Sequence, residues 1–536
     1  MRAGRSVDAT PRVARWQARF AALVLIIAAA LGGCASLSPV DKPESFSIPA
    51  ESSDPLVQVA AASVPSAGLS SFRPLPFSRF SLDARITLAR HAVRSLDVQY
   101  YLLQNDSIGR ALLRELRDAA QRGVRVRILV DDLYTASTED LLMQLAATDN
   151  IEVRLFNPFP AGRAHALTRW TFSLLDFARV NHRMHNKMFV ADGAFAVVGG
   201  RNMADEYFFQ SRTGNFVDFD LLVAGDAVPR MAQIFDSYWN SKRVYPLGAL
   251  VYSKESREAL ALRFDAAAAS DDGPLTVAAS DATDALGFSL LSLDLKASSP
   301  LKMLQGSMEV FADTPEKASG KSETGDDAST VTSRVVNALT QARSTVVVAS
   351  PYFVPGKLGM KAIEAIRARG VRFTLITNSL GANDEPYASV AYSRYRKAML
   401  AMGVDIYEVS SQELRGNRDV ARVLGTTTGR SHAKIVVIDG NTTFVGSMNM
   451  DLRSSRENTE LGALVHSEAL AAEVSALLDS IRAHGAYHLR LSPEQDIEWV
   501  SGDLGQERVQ RSEPEVDFGT RLKILLFAPF IAESLL

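Results

Sequence analysis

An α/β fold made of two similar domains in tandem is predicted by three observations on this 536-residue chain. Landmarks recur at one spacing. His185-Asn186-Lys187 returns as His432-Ala433-Lys434, Asn202 as Asn449, and Arg122-Gly123-Val124-Arg125 as Arg369-Gly370-Val371-Arg372, each pair 247 positions apart. Each half carries a strand, helix, strand succession, the pattern of a parallel βαβ unit. Each His-x-Lys leads into an apolar, β-branched-rich run that ends at Asp-Gly, at Asp192 and Asp439. Three landmarks at one offset describe an internal duplication, with domains at 80–265 and 331–490 joined by a connecting segment at 266–330.

In chain order, Arg2, Arg5, Arg12, Arg15 and Arg19 precede an apolar run over 20–31. That run is short for a bilayer span and has signal-peptide proportions. Leu31-Gly32-Gly33-Cys34 closes it in the manner of a bacterial lipobox, so 1–33 is expected to be a lipoprotein signal peptide and Cys34 the lipidated residue. The expected location is the bacterial cell envelope, lipid-anchored and facing the periplasm; Ala35 rather than Asp after the cysteine hints at the outer membrane. Residues 34–75, rich in Ser, Ala, Pro and acidic side chains, are expected to be a flexible tether.

Residues 96–103 have strand composition. Residues 108–122 place Ile108, Leu112, Leu113 and Leu116 on one helical face, and Gly123 is positioned to end that helix. Residues 124–130 alternate as a strand before Asp131-Asp132, and 187–190 form another. The second half repeats this with strands at 345–349, 371–377 and 434–438 and a helix at 361–369. The Ser/Gly/acidic stretch 313–330 reads as an exposed loop. Within a C-terminal tail at 491–536, the apolar stretch 522–536 contains Pro529 and is too short to span a bilayer. It is expected to lie at an interface or pack on the body.

Lys and Arg number 58 against 61 Asp and Glu, a net charge of −3, which argues against a general nucleic-acid binder. Local basic surface is still conceivable where Arg163, Arg169, Arg179 and Arg183 precede Lys187. The single cysteine excludes intrachain disulfides and cysteine-based zinc sites.

Side chains alternate along a strand, so His and Lys two apart project together. Each copy then offers an imidazole beside an ammonium, a pairing suited to a phosphodiester. A neutral imidazole attacks phosphorus without the repulsion an anionic nucleophile meets, and a second, protonated one can donate to the leaving oxygen. Lys187 and Lys434 would hold the non-bridging oxygens, with Asn202 and Asn449 as further donors. An attacking imidazole needs its far nitrogen held, usually by a carboxylate. Aligning Leu222-Val223 with Leu464-Val465 sets Asp218 opposite Glu460, one acid per half. Asp192 and Asp439 complete the candidate catalytic set, although both precede glycine at a turn. His182 and His185 lack a third ligand nearby, and no metal or cofactor is expected.

This constellation resembles the phospholipase D superfamily over most of residues 80–490. The surrounding strings look like its bacterial cardiolipin synthase C-like branch: Asp97-Val98-Gln99-Tyr100-Tyr101, Gly199-Gly200-Arg201-Asn202 with Asp205-Glu206-Tyr207, Ser350-Pro351-Tyr352-Phe353-Val354-Pro355-Gly356, and Gly446-Ser447 with Asn449, Asp451, Arg453, Ser454, Asn458 and Glu460. The resemblance implies two phospholipase D-like domains packed with pseudo-twofold symmetry, the active site at their interface, His185 as nucleophile and His432 as acid/base. It implies a membrane-associated phosphatidyltransferase of cardiolipin synthase type. Its substrates would be phospholipids, with phosphatidylglycerol or phosphatidylethanolamine as donor and phosphatidylglycerol as acceptor. With water as acceptor the same site would be a phospholipase D-type hydrolase, and a nuclease on the same fold is the more distant reading. One departure stands at 387–392, where relatives tend to carry a histidine before the tyrosine, and it bears on acceptor preference. Of Tyr100, Tyr101, Tyr352 and Phe353, some are expected in the core and some along the lipid entrance.

Overall fold

The computed structural model describes residues 37, 40–517, 519 and 522, apart from 65, 164, 174–175, 270–282, 297–299, 320–328, 417–427 and 503–506. The expected signal peptide, Cys34 and nearly all of the 522–536 segment lie outside the described residues. Among those described, no helix is long and apolar enough to cross a membrane.

Eighteen strands form one continuous sheet whose two halves mirror each other about a seam. At that seam Ser70–Leu75 pairs antiparallel with Leu304–Ala312. Outward through the N-terminal half follow Asp220–Gly225, Phe195–Gly199, Met188–Ala191, Ser95–Tyr100, Arg125–Asp131, Ile151–Phe156 and Val244–Pro246. Outward through the C-terminal half follow Leu461–His466, Thr442–Gly446, Ile435–Ile438, Thr345–Ala349, Arg372–Asn378, Asp405–Val409 and Ala486–Leu491. The two strands of the βαβ unit in each half are parallel as predicted, a third parallel strand follows each pair, and antiparallel strands flank them. The predicted helices run over Ser107–Gln121 and Gly356–Ala368.

Period-two alternation sorts the strand side chains between faces. In Arg125–Asp131, Val126, Ile128 and Val130 enter the N-terminal half's outer core. Leu129 faces inward, into a core that also takes Ile376, Val437 and Val465 from the other half. Helices Ala227–Trp239 and Glu468–His484 fill this shared core from either side. The halves are therefore welded through buried apolar surface, each buried side chain contributing about 1.5–3 kcal/mol of transfer free energy. A site at their junction sits on a rigid frame.

Three expectations are corrected. Residues 40–75 do not form a tether where described: Pro55–Ser63 is a helix burying Leu56 and Ala60, and Ser70–Leu75 is the seam strand itself. Its polar composition concealed it, because its buried polar groups find partners inside the protein. Ser71 donates to Ser63 O, and Arg73 pairs with Asp294 at 2.7 Å. The start of the expected exposed loop is buried instead, with the Asp313 carboxylate accepting from Val331 N, while 320–328 lies outside the described residues. The tail continues the sheet, with Ile497–Ser501 and Arg508–Gln510 added beyond Ala486–Leu491.

Candidate active site

Each histidine is positioned by both halves. Asp131, at the end of its strand, accepts from Arg183 Nη1 at 3.1 Å and Met184 N at 2.8 Å, fixing the backbone just before His185. His185 N then donates to Thr459 O across the junction at 2.8 Å. Its Nδ1 lies 2.9 Å from Glu460 Oε2. In the other half, Asn378 holds Ser431 through two hydrogen bonds of 2.8 and 3.0 Å. Thr428–Ser431 runs parallel to Gly214–Val217, and His432 N donates to Val217 O at 2.7 Å. His432 Nδ1 lies 2.6 Å from Asp218 Oδ2. The acids are thus exchanged: each imidazole is oriented by the carboxylate of the opposite half. Alignment put one acid in each half, but only the parallel pairing across the junction shows which histidine each serves.

Both imidazoles line one cleft of about 430 Å³. Tyr101 meets His185 edge-on with ring centroids 4.8 Å apart, and Tyr207 meets His432 likewise at 5.1 Å. Lys187 Nζ donates to His185 O, and Lys434 Nζ to His432 O, each at 2.6 Å, so each ammonium stays beside its own ring. Lys434 Nζ is also 2.9 Å from both ring nitrogens of His432.

Burial dominates the electrostatics, because desolvation disfavours whichever form is charged. It pulls His185 down to about 4, against the opposing pull of Glu460, and His432 well below its ordinary 6.5, assisted by Lys434. It also lowers Lys187 well below 10.5 and Lys434 to about 8. Glu460 escapes this trend. Burial pushes it up, but His185, Lys187 and Ser447 outweigh burial and hold it below the usual glutamate range. Asp218 is pushed up by burial, which Lys434 and Arg201 offset only in part. His185 is accordingly a neutral ring whose Nδ1–H donates to an ionised carboxylate, leaving Nε2 with its lone pair.

The remaining sequence-predicted residues divide. Asn202 and Asn449 both line the cleft. Asn202 Nδ2 donates to Tyr207 Oη at 2.9 Å, which leaves its second hydrogen, whereas Asn449 Oδ1 has no partner among the described residues. Asp192 and Asp439 are not brought to the site. Asp192 accepts three backbone N–H groups, of Val93, Arg94 and Ser95, each at 2.9 Å. Asp439 does the same for Arg343, Ser344 and Thr345. Both sit at φ +51° and brace the strand that pairs beside them, so their role is structural. His182 pairs with Glu457 at 3.0 Å rather than with His185. Tyr100 is a core residue bonded to Arg85, while Tyr101 and Tyr352 line the cleft. The basic surface does not materialise: Arg163 and Arg169 pair with Asp132 and Glu139, Arg179 with Asp176 and Arg183 with Asp131.

For several supporting residues the sequence predicted no role. Ser454 Oγ donates to Glu460 Oε1 at 2.8 Å, and Ser447 Oγ to its other oxygen. Asp313, in the supposed loop, accepts Glu460 N at 3.0 Å. The 247-residue offset held a signal for some of them: it pairs Asp131 with Asn378, Gly200 with Ser447 and Tyr207 with Ser454. Carboxylates also line the cleft at Glu206, Asp384, Glu385 and Asp451. Burial, with Asp384 and Asp106 nearby, raises Glu206 to about 7, and burial raises Asp451 to about 6.

Residues 85–239 and 335–482 match the family described as "Cardiolipin synthase, PLD-like domain". The chain is 34% identical to Cardiolipin synthase C of Escherichia coli (strain K12) over 464 residues, 86% of this chain and 95% of that one. It is 24% identical to Cardiolipin synthase 2 of Staphylococcus epidermidis (strain RP62A) over 390 residues, 73% of this chain and 63% of that one. Among solved structures, phosphatidylserine synthase of Haemophilus influenzae Rd KW20 shares the fold, with a TM-score of 0.55 at 16% identity, over 89% of this chain and 99% of that one.

Proposed function

The chain belongs to the cardiolipin synthase family of phospholipase D-like proteins, and from that membership we propose that it is a transphosphatidylase that makes cardiolipin through a phosphohistidine. The observation that carries the proposal is the pair of imidazoles in one cleft, each braced by the other half's acid.

His185 Nε2 attacks the phosphorus of a phosphatidyl donor, forming the N–P bond as the P–O bond to the headgroup alcohol breaks. Burial keeps that ring neutral, and Glu460 compensates the positive charge that develops on it. His432, having gained a proton as the anionic phosphodiester enters, passes it to the leaving oxygen. It then takes the proton of an incoming phosphatidylglycerol hydroxyl, whose oxygen displaces His185. With phosphatidylglycerol as donor the balance is two phosphatidylglycerols in, cardiolipin and glycerol out. Each positioned acid or base accounts for about 10²–10⁴-fold in rate. Lys187 and Lys434 offset the charge on the non-bridging oxygens through the five-coordinate state.

The cleft sets Glu206, Asp384, Glu385 and Asp451 beside Arg430 and Arg453 and so lacks the basic excess that an extended polyanion needs, which supports a lipid over a nucleic-acid strand. We place the enzyme at the cell envelope facing the periplasm, anchored through Cys34. The experiment is mass spectrometry of products after incubating the protein with defined phospholipid mixtures. Cardiolipin is the expected product. Phosphatidate with no cardiolipin would replace the transferase by a hydrolase, and no His185-dependent product would remove the proposal.

A further inference from the structure

Beside the catalytic cleft the C-terminal half carries a groove of about 310 Å³, within the lower range of small-molecule sites. Its walls are helices Val331–Thr340 and Gly356–Ala368, contributing Val336 and Ala362 among others, and Phe353 and Met448 lie between them. Leu358 stands at the groove 79% exposed. In the N-terminal half the corresponding helices, Ser78–His91 and Ser107–Gln121, are covered by Pro55–Ser63, Arg257–Ala268 and Leu291–Lys296. Moreover, the 247-residue offset sets Gly359 opposite Leu112, which is fully buried in that half's core. One side chain is missing where the groove opens.

The groove adjoins the reaction site, with Asn449 and Asp451 lining both cavities. Along the dividing segments neighbours take opposite sides: Tyr352 and Arg453 line the cleft, Phe353 and Leu452 the groove. A phosphodiester at the histidines therefore has charged and polar walls around it and an apolar channel next to it. A phospholipid has that same division, and drawing its phosphate to buried imidazoles exposes chain surface that water penalises.

We propose that this groove holds an acyl chain of the phospholipid whose phosphate sits between His185 and His432. The proposal rests on the phospholipid reading above and adds where the chain goes. It makes the C-terminal half the lipid-gripping half and Leu358 the rim that meets the bilayer.

The test uses the full chain in mixed micelles with two phosphatidylglycerols, dioleoyl and dihexanoyl, and the substitution Ala362→Trp, which fills the groove without touching the cleft. The expected result is a fall of about tenfold or more in kcat/KM for the dioleoyl lipid, with the dihexanoyl lipid still turned over, which also shows the variant folded. In parallel, a phosphatidylglycerol with a photoactivatable group near its acyl terminus is cross-linked to the unaltered protein, and the label is mapped by peptide mass spectrometry. Labels on 331–340 and 356–368, lost in Ala362→Trp, support the proposal. Equal effects on both lipids, labels elsewhere, or cross-links showing residues 522–536 already seated in the groove overturn it. The labelling does not depend on turnover, so an inactive enzyme that still labels the groove would sink the transferase reading and leave this one standing.

Discussion

At His185 the orienting acid is a glutamate that accepts from Ser447 and Ser454; at His432 it is an aspartate, and the matching positions are Gly200 and Tyr207. The plan is common and the support differs. His185 and Lys187, with a smaller contribution from the Ser447 hydroxyl, hold Glu460 below the usual glutamate range in spite of full burial, whereas Asp218 is pushed up. A permanently ionised partner suits a ring that must become positive during attack, which is the demand on a nucleophile. A partner whose charge burial disfavours suits a ring that gains and loses a proton within one cycle. Duplication supplied the geometry, and under the proposed mechanism the small changes around it divide the labour.

The widest separation between the half-sites is expected from their acids. Glu460→Gln should cut turnover by about 10²–10⁴-fold and remove the phosphoenzyme burst, because His185 loses the charge that balances its attack. Asp218→Asn should slow overall turnover while phosphoenzyme still forms, as rapid-quench kinetics would show. Equal loss of the burst in both variants would break the comparison. Exchanging the supporting residue comes next. A Cβ at Gly200 would lie 2.2 Å from Asp218 Oδ1, so Gly200→Ser should displace that carboxylate from His432 and remove most activity. The reverse change, Ser447→Gly, fits sterically and deletes one donor. It should cost about tenfold, a hydrogen bond to a charged group being worth about 1.5–3 kcal/mol. Losing that donor raises the pKa of Glu460, so the acid limb of the kcat/KM profile should move to higher pH.

The smallest effect on chemistry is expected at Asp192 and Asp439, where the halves are alike. Asp192→Ala strands three backbone N–H groups, the buried one of Ser95 among them, and should lower stability by about 1–3 kcal/mol in denaturant melts, with activity per folded molecule retained. Asp439→Ala, at a more exposed turn, should cost less. Lost turnover in a fully folded Asp192→Ala protein would return that residue to the site.

The doubled His-x-Lys and the 247-residue offset made the architecture legible, because a duplication writes itself twice and each copy checks the other. What the chain did not show is what arises only between the copies. The exchange of Asp218 and Glu460 is set by the parallel pairing of Gly214–Val217 with Thr428–Ser431 and by the bridge of Met184 with Thr459, contacts with no local signature. Asp192 and Asp439 were misread because an acid at a fixed distance from a catalytic residue resembles a partner, while its own turn geometry decides what it reaches. The seam strand Ser70–Leu75 was hidden for a different reason. Its polar side chains are buried with partners, so hydrophobic periodicity had nothing to detect.

The central claim is that the two histidines do different work in one cleft, and it is tested most directly by trapping the phosphorylated residue. His432→Ala protein should form the adduct slowly, without the acid for the leaving alcohol, and lose it slowly, without the base for the acceptor. It is quenched after prolonged incubation with phosphatidylglycerol, digested under conditions that preserve phosphohistidine, and the adduct located by mass spectrometry, beside His185→Ala. The prediction is a phosphatidyl adduct on His185 in the first protein and none in the second. An adduct on His432 in the His185→Ala protein, or none on His185 in the His432→Ala protein, would contradict the division of labour.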